Sequence, residues 1–581
     1  MIKIFEIEKT KDNYDILKIM KDNKSIYMGS KYNMENDINN FLKNIESDFV
    51  SKLIFVFGFG AGEHIKKLRD LYKKSKIIIF EPNSEISQFA NKLDWVKRDE
   101  NLNIIYNDEN RFRNYTVGTI DIENVKNIKV GIFANYNKVF PKESKKFLDI
   151  IKESLNSAIL DLKVKDFFSE QWFETLVKNI PYMLKSHHVD EIKDEYKNKP
   201  AIIVSAGPSL EKNIDELKKA EGKILIFTGG RNLEGLLNRN INPDLLGVID
   251  GSYEAYEIIK DIIDKIDIPL LFLDITNENI VSNHKGEKIF TRQNAIIDYI
   301  LGEKIYTLNG GGSVAHILTS FAIMLGCNPI VFIGQDLAYT NEKSYAGFSG
   351  TLGDTRSYSK MVSKDDIYVE DVNGEQIRTS ILWDSFRLYF EKIIALHPEI
   401  EFINATEGGA RIKGTKEMKL SDFIEKYNYG KINNLNVLLK SKKIKPIKVQ
   451  HGIDSVEKLQ DELSIILNKT NRALKELDEL KIASINKNFN KINSIIQDLD
   501  KIDILIKEKR HEFAFIESLL QPIINKILSK SNIKGKSEEN NNIDAIIEEN
   551  KELYGTIRNS SQKAIEALRK LKAKIKEMYE F

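Results

Sequence analysis

The 581-residue sequence has one cysteine, Cys327, so it can form no disulfide within the chain and no cysteine-rich zinc site. It also lacks a net charge of either sign, because 87 Lys and Arg are balanced by 86 Asp and Glu to give +1. Such a chain has no global field to hold a polyanion or to draw it to an acidic membrane. We therefore expect no nucleic-acid partner and no membrane partner.

Long apolar segments are missing as well. No uninterrupted apolar run approaches the ~20 residues of a membrane-spanning helix. The first residues alternate apolar and charged side chains, without the apolar core of a signal peptide. With 42% hydrophobic and 30% charged residues, the composition is that of a folded, soluble protein of several domains. We expect a cytoplasmic location.

The clearest local unit that is present is a strand, a glycine turn, a helix and a second strand. It spans LIFVFGFGAGEHIKKL (53–68) and KIIIFEPN (76–83). Glycines at 58, 60 and 62 form the turn, and Glu81 ends the second strand. Backbone amides of such a turn and an acid that binds ribose hydroxyls would suit S-adenosylmethionine or a dinucleotide. Alternatively, the glycines only permit a tight turn.

The central region alternates short apolar runs with helical patterns. This alternation predicts a doubly wound parallel α/β sheet, with ligands at the carboxyl ends of its strands. The predicted strands lie at 201–206, 223–230, 245–250, 269–275, 329–334 and 401–405.

Beyond residue 450, Gly and Pro nearly vanish and apolar residues recur at spacings of three and four. This predicts a helical hairpin or bundle, which serves either as a packing appendage or as a surface that grips a protein partner. The pattern comprises Val456, Leu459, Leu463, Ile466, Ala473, Leu477 and Leu480, then a polar break near 529–542 and a last helix over 543–581.

These three sequence patterns predict three domains. We expect a Rossmann-like α/β domain over 1–190, a central doubly wound α/β domain over 191–435 and an all-helical domain over 436–581.

Polar and glycine residues follow several central strands. Ser209 is predicted to cap a helix that runs to residue 217, and three glycines at 310–312 open the helix that begins near Ser313. Both helix starts are predicted anion cradles. His316, one turn into that second helix, is expected to pack rather than to catalyse. The tandem His187 and His188 are expected at a surface or between domains.

Five central segments carry a resemblance to a known family. SAGPSL, PD…ID, GGGSVA, GQDLAYT and NATEGGARIKGT resemble the central domain of the Maf (motility-associated factor) proteins. The resemblance implies a glycosyltransferase that moves a nonulosonic acid, such as pseudaminic or legionaminic acid, from a CMP donor to serine or threonine of flagellin. It also implies a Rossmann-like N-terminal part and a helical C-terminal part.

A remoter resemblance links the central domain to small bacterial sialyltransferases that use CMP-sialic acid, which implies a glycosyltransferase (GT-A/sialyltransferase-like) fold. The order GPSL turn, glycine-led helix, strand, Gly334-x-Asp336 and two tyrosines is shared. By this resemblance, Tyr339 and Tyr345 bind the phosphate of the leaving CMP. The sequence has one extra residue, Ala338, before the first tyrosine, so Tyr345 is the better-matched of the two.

The resemblance also locates a catalytic base. The sialyltransferases have a histidine in a Tyr-apolar-Gly-His segment, which corresponds here to residues 368–371. This sequence has no histidine between His316 and His397. Asp371 occupies the matching position with Glu370 beside it, so a carboxylate would accept the proton of the acceptor alcohol.

The same comparison implies a metal-independent donor site that requires no cofactor. Arg231 would pair with the sugar carboxylate, and Asn232 would contact the nucleotide. Glu407 and Arg411 are candidate substrate contacts, although their segment reads equally well as a glycine-driven chain reversal. The remaining predicted donor-binding residues are Gly207, Pro208, Ser209, Asp250, Gly311, Gly312, Ser313 and Asp336.

Three other functions stay open from the sequence. One is a pterin-type pyrophosphokinase, since a branch of this domain superfamily is described that way. Another is a methyltransferase that uses the first glycine turn. The third is a non-catalytic protein that binds flagellin through its helical region.

Overall fold

The structure, a computed structural model, describes residues 5–21, 24–45, 53–120, 124–125, 127–349, 366–427, 430–442, 447–531 and 543–579. The chain divides into two compact units. The first comprises Met1–Phe168 with Gln521–Glu549, and the second comprises Ser169–Leu520 with Asn550–Phe581. The predicted boundaries at 190/191 and 435/436 stay predictions.

The first unit contains a Rossmann-like parallel sheet. Its order, β6-β5-β4-β7, places β4 at the centre, and a separate antiparallel sheet has the order β1-β2-β3. The strands are β1 (Phe5–Lys9), β2 (Asp15–Lys21), β3 (Lys24–Tyr27), β4 (Leu53–Phe57), β5 (Lys76–Glu81), β6 (Leu102–Tyr106) and β7 (Ile128–Ile132). The helices are α1 (Met34–Ile45), α2 (Glu63–Leu71), α3 (Ser84–Lys92), α4 (Asp94–Lys97), α5 (Glu109–Thr119), α6 (Tyr136–Val139) and the start of α7 (Pro141–Met183).

The second unit is built on a nine-stranded sheet whose paired strands are all parallel. The order is β18-β17-β14-β9-β10-β11-β12-β13-β8. The strands are β8 (His187–His188), β9 (Ala201–Val204), β10 (Leu225–Gly229), β11 (Leu245–Val248), β12 (Leu270–Leu273), β13 (Lys288–Thr291), β14 (Ile330–Ile333), β17 (Phe402–Asn404) and β18 (Lys416–Glu417). A separate hairpin joins β15 (Asp366–Glu370) to β16 (Gln376–Ser380).

Helices cover both faces of this sheet. Along β9, Ala201 and Ile203 belong to one buried apolar cluster, whereas Ile202 and Val204 belong to another. Strands buried on both faces read as continuous apolar runs, which is why the six central strands are visible in the sequence. The covering helices are α8 (Gly230–Leu237), α9 (Tyr253–Ile259), α10 (Glu278–Asn283), α11 (Ile296–Leu301), α12 (Val314–Met324), α13 (Ile381–Leu396), α14 (Leu420–Lys426) and α15 (Leu435–Ser441).

The C-terminal region is helical, as predicted. All seven residues of the predicted apolar stripe are buried along α16. Part of the predicted polar break, residues 532–542, lies outside the described residues. The helices are α16 (Ile447–Ile485), α17 (Phe489–Glu508), α18 (Arg510–Ser531) and α19 (Ile543–Tyr579). No helix among the described residues combines the length and apolar character needed to cross a membrane.

One local prediction is wrong. The helix expected over 209–217 is replaced by two short 3₁₀ segments, Pro208–Lys212 and Ile214–Lys219, and Gly207 rather than Ser209 lies at the N-cap. The Ser209 hydroxyl donates instead to Asp336 Oδ1 at 2.6 Å, so it is not available to cap a helix.

Candidate functional site

A cavity of about 270 Å³ lies at the carboxyl ends of β9, β10 and β14. The sheet order places β9 between β10 and β14, so the chain connections leave β9 in opposite directions. Open α/β sheets bind their ligands at this kind of switch point. Of the predicted site residues, the structure brings together Gly207, Arg231, Asn232, Gly312, Ser313, Asp336 and Tyr345 in the lining of this cavity.

Two helix N-termini form one side of the cavity. Helix α8 begins after Gly229 and α12 begins after Ser313, and first-turn residues of both helices line the cavity. First-turn amides have no acceptor within their own helix, and they carry the positive end of the helix dipole. This side of the cavity therefore favours an anion, and the guanidinium of Arg231 adds a full positive charge to it.

The glycines before α12 have different tasks. Gly312 lines the cavity with a φ of +83°, a backbone conformation that favours glycine. A Cβ at Gly311 would overlap the ring of Tyr389, and Gly311 is not part of the cavity lining. Gly311 is therefore required for packing, whereas Gly312 shapes the site.

Asp336 lines the cavity and is the centre of a buried hydrogen-bonded clamp. It is 2% exposed, and its two carboxylate oxygens accept hydrogen bonds from the Ser209 hydroxyl at 2.6 Å and the Ser209 amide at 3.2 Å. Burial raises the pKa of Asp336, and the hydrogen bonds from Ser209 oppose that rise. The Gly207 amide donates to the Gly334 carbonyl at 2.8 Å. The amides of residues 207 and 209, predicted to hold phosphate, thus have protein acceptors here.

Replacing Ser209 with alanine tests this clamp. Ser209→Ala leaves a buried carboxylate with one acceptor site unsatisfied, so we expect it to lower the free energy of unfolding by about 2 kcal/mol. Ser421→Ala, on the exposed side of α14, is the control and should change the free energy by less than about 0.5 kcal/mol. Urea denaturation followed by circular dichroism measures both. Equal midpoints for Ser209→Ala and the wild type would contradict the clamp.

Asn232 lines the cavity but is engaged at both ends of its side chain. Its Nδ2 donates to the Val204 carbonyl at 3.3 Å, and its Oδ1 accepts from the Ser349 hydroxyl at 3.1 Å. The residue is 2% exposed. These contacts connect the start of α8 to β9 and to the segment after β14. The predicted contact of Asn232 with a nucleotide stays a prediction.

The cavity lining also includes aromatic side chains. They are Tyr345, Trp383 and Phe386, and we call these three residues the aromatic wall. The Arg231 guanidinium carbon lies 4.7 Å from the centroid of the Tyr345 ring, which is cation–π distance. Tyr339 is not part of the lining, and its ring lies 4.7 Å from that of Trp383.

The two carboxylates predicted as the catalytic base lie outside the cavity lining. Asp371 closes the β15–β16 turn, where its Oδ1 accepts from the amides of Asn373 and Glu375 at 2.8 Å each. Glu370 forms an ion pair with Arg411 at 2.5 Å, and both side chains are about half exposed. The structure therefore gives these residues contacts within the protein.

The other predicted contacts also lie outside the lining. The Asp250 carboxylate accepts from the Ser252 amide at 2.8 Å, and the Glu407 carboxylate accepts from Asn213 Nδ2 at 3.4 Å. Gly409 has a φ of +80° and packs against the backbone of Asp336. The segment around Glu407 and Arg411 therefore makes a glycine-driven chain reversal that supports the Asp336 loop.

Three histidines of this unit that the sequence analysis names are buried. His316 is fully buried, its Nε2 lies 3.0 Å from the Phe386 carbonyl, and burial lowers its pKa to about 4. It packs as expected. His187 and His188 are 1% and 7% exposed in β8, where Glu191 contacts both, so the expectation of a surface position is wrong. In the part of the chain that the structure describes, no group of His, Cys, Asp and Glu has the arrangement of a metal site.

Comparisons with known proteins identify similar sequences and folds. A family model described as 6-hydroxymethylpterin diphosphokinase MptE-like matches residues 174–342. The solved structure of the Maf glycosyltransferase from Magnetospirillum magneticum AMB-1 is similar at 14% identity and a TM-score of 0.51, covering 100% of this chain and 93% of that one. The chain has the fold of a Maf glycosyltransferase. The resemblance predicted from the central motifs is thus confirmed for the fold. No curated protein matches the chain.

In this Maf fold the first glycine turn is filled by a side chain of the protein. The Tyr136 hydroxyl accepts from the Gly60 amide at 2.8 Å and donates to Glu81 at 2.9 Å. A Cβ at Gly58 would lie 2.5 Å from the Tyr136 ring. Tyr136 and Glu81 are both fully buried. The phenol occupies the place where a ribose hydroxyl would meet the acid, which favours the turn interpretation over a cofactor site.

The buried Glu81 gives this Maf-fold protein a testable pH dependence. Burial raises the pKa of Glu81 from 4.5 to about 7. The folded state then binds a proton more tightly than the unfolded chain, so this contribution to stability is complete below pH 4.5 and is lost as the pH rises to 7. The loss is about 3 kcal/mol. We expect Glu81→Gln to remove this pH dependence of the free energy of unfolding, as measured by urea denaturation between pH 5 and pH 8. A wild-type-minus-variant difference that does not change with pH would contradict this assignment.

Several residues that line the cavity of this Maf fold were not predicted from the sequence. Three of them lie in loops, namely Ser205, Gln335 and Ser344, and two lie in α13, namely Trp383 and Phe386. Ser205 directly follows β9 and donates to Gln335, which is two residues beyond β14. Polar residues just beyond parallel strands were the signal for this pair. Trp383 and Phe386 carry no such signal, because their helix reads as an ordinary apolar one.

Proposed function

We propose that this chain is a glycosyltransferase that transfers a nonulosonic acid from its CMP-activated donor to serine or threonine hydroxyls of flagellin. The observation that carries the proposal is the cavity at the β9 switch point. Two helix N-termini and Arg231 supply positive charge to its lining, and Tyr345 supplies a phenol. Such a donor bears a phosphate and a carboxylate, and both are matched by these groups.

The chemistry follows from the donor. The bond between the anomeric carbon and the phosphate oxygen breaks, and its electron pair leaves with CMP. The acceptor oxygen forms the new bond to the anomeric carbon as its proton passes to a base. Hydrogen-bond donors fixed where the phosphate gains charge stabilise this transition state. Tyr345 and the first-turn amides of α12 fill that role, and Arg231 holds the sugar carboxylate.

Three carboxylates are candidates for the base. Asp371 is the residue implied by the sialyltransferase resemblance, with Glu370 beside it. Asp336 is the one carboxylate among the described residues that line the cavity, and burial raises its pKa toward that of a better base. Asp371→Asn and Glu370→Gln separate them, because full flagellin modification by both variants would leave Asp336 as the base.

Thermal unfolding tests the donor class. Saturating CMP should raise the melting temperature, since a ligand at 100 times its Kd adds about 2.7 kcal/mol to the folded state. S-adenosylmethionine should leave it unchanged, because Tyr136 fills the first glycine turn. A melting temperature that responds to neither CMP nor its sugar conjugates would overturn the proposal.

The acceptor is tested by the intact mass of flagellin. Flagellin co-expressed with this chain and a nonulosonic-acid pathway should gain the mass of one or more sugars. Flagellin from a host without this chain should not. We place the reaction in the cytoplasm, where flagellin is present before its export, with the helical region as the surface that grips flagellin.

A pterin diphosphokinase is the second candidate. The matched family model spans 174–342, which includes β9, β10 and α12 and therefore most of the cavity. This function predicts that ATP with Mg²⁺ and 6-hydroxymethylpterin raise the melting temperature together and yield a pterin diphosphate. A response to CMP without a response to ATP favours the glycosyltransferase.

A further inference from the structure

The aromatic wall differs from the arrangement that the sialyltransferase resemblance implies. That resemblance assigns two tyrosines, Tyr339 and Tyr345, to the leaving phosphate. In the structure Tyr345 lines the cavity and Tyr339 does not, while Trp383 takes a place in the lining. The Trp383 ring lies 4.7 Å from the Tyr339 ring and 6.4 Å from the Tyr345 ring, so Trp383 contacts both tyrosines.

Tyr339 is held behind Trp383 by a buried arginine. The Arg378 guanidinium carbon lies 4.1 Å from the centroid of the Tyr339 ring, and the Tyr339 amide donates to the Arg378 carbonyl at 2.9 Å. Arg378 is 6% exposed and forms ion pairs with Asp366, at 2.7 Å, and with Glu342. A buried guanidinium with two carboxylate partners is a rigid support for a ring.

The loop that carries Tyr339 has an unusual backbone. Leu337, Asn341 and Glu342 all have left-handed conformations, with φ of 50°, 52° and 58°. Left-handed non-glycine residues are uncommon, and three within six positions fold the loop tightly. The extra residue Ala338 lies in this loop and is buried. The loop thus carries the first tyrosine away from the cavity lining.

We propose that Trp383, and not Tyr339, contacts the nucleotide part of the donor, and that Tyr339 and Arg378 are positioning residues behind it. This inference rests on the proposed function, because it names a contact within the same donor site. The indole offers a flat apolar face for stacking and one N–H donor for the phosphate or ribose. Because Trp383 is already packed against Tyr339, less side-chain freedom is lost on binding.

Tryptophan fluorescence tests the contact directly. The chain has three tryptophans, Trp95, Trp172 and Trp383, and only the last lines the cavity. CMP should quench the wild-type emission, and inorganic phosphate should quench it less. Trp383→Phe should abolish the quench while the other two tryptophans still emit. A quench that survives in Trp383→Phe would overturn the proposal.

Trp383→Ala measures how much the contact contributes to CMP affinity. Loss of one aromatic stacking surface should weaken CMP binding about tenfold in isothermal titration calorimetry. The matched control is Trp172→Phe, which removes a tryptophan away from the cavity and should bind CMP as the wild type does. Equal CMP affinities for Trp383→Ala and the wild type would contradict the contact.

A pair of tyrosine variants separates the two roles. Tyr339→Phe keeps the ring that supports Trp383, so it should change the KM for the donor by less than about threefold. Tyr339→Ala removes the ring and should raise that KM about tenfold with a smaller change in kcat. If Tyr339→Phe instead loses as much kcat as Tyr345→Phe, the Tyr339 hydroxyl reaches the phosphate and the inference is wrong. Failure of the wild type to bind CMP at all would overturn the proposed function instead.

Discussion

Replacing Tyr345 with phenylalanine is expected to slow transfer to flagellin by about 100-fold, the typical loss when one donor to a developing negative charge is removed. Tyr345 is the one tyrosine among the described residues of the cavity lining. Its ring contacts Arg231 at 4.7 Å, and phenylalanine preserves that ring. The variant should therefore fold normally and lose only the hydroxyl. The measurement is the initial rate of flagellin modification, followed by intact mass at saturating donor.

The control for this experiment is another tyrosine of the same unit. Tyr306 is 49% exposed and lies outside the cavity lining, so Tyr306→Phe should retain the wild-type rate. Melting temperatures of both variants should stay within a few degrees of the wild type. Equal rates for Tyr345→Phe and Tyr306→Phe would remove Tyr345 from the mechanism.

Gly207→Ala is expected to have the largest effect on stability. A Cβ at this position would lie 2.5 Å from the Gly334 carbonyl oxygen and closer still to Asp336 Oδ1. The φ of Gly207 is −64°, which alanine adopts readily. The destabilisation therefore comes entirely from the steric clash of the added Cβ. We expect the free energy of unfolding to fall by about 3 kcal/mol, because a backbone atom cannot move aside as a flexible side chain does.

The control is a glycine-to-alanine substitution that should raise the free energy of unfolding instead of lowering it. Gly555 lies within α19, and no atom lies within 4 Å of a Cβ added there. Gly555→Ala should stabilise the protein by up to about 1 kcal/mol, since alanine is the better helix former. Urea denaturation of both variants measures the difference. A Gly207→Ala variant as stable as the wild type would mean that Gly207 does not lie against Gly334 and Asp336 as described.

Much of the fold could be predicted from the sequence, because long elements have strong local signals. The six central strands read as apolar runs, and the stripe from Val456 to Leu480 extends over about seven turns of α16. Short edge strands have no such signal. Strand β8 consists of His187 and His188, and β18 consists of Lys416 and Glu417, so both are polar. Pairing with a neighbouring strand makes them strands, and that pairing is not visible locally.

The candidate site could be predicted only in part, because its residues take their roles from distant partners. Ser209 reads locally as a helix cap, yet its partner Asp336 lies 127 positions away. Asp371 matches the position of a catalytic histidine, yet it closes the turn in which it lies. In the same way, the order of residues indicates Tyr339 for the cavity wall, and the fold places Trp383 there. Motif order locates the cavity, but the direction of each side chain depends on tertiary contacts.

Tyr136 also has a consequence for every binding experiment on this protein. The Tyr136 side chain occupies the position that a nucleotide would take in this Rossmann-like sheet. Because Tyr136 is part of the chain, this occupancy does not depend on the concentration of any metabolite. Within the described residues of the N-terminal unit, the first glycine turn then has no open position for an added nucleotide. A calorimetric stoichiometry of one CMP per chain would therefore report on the β9 cavity alone, and Tyr136→Ala should be the variant that creates a second nucleotide-binding event.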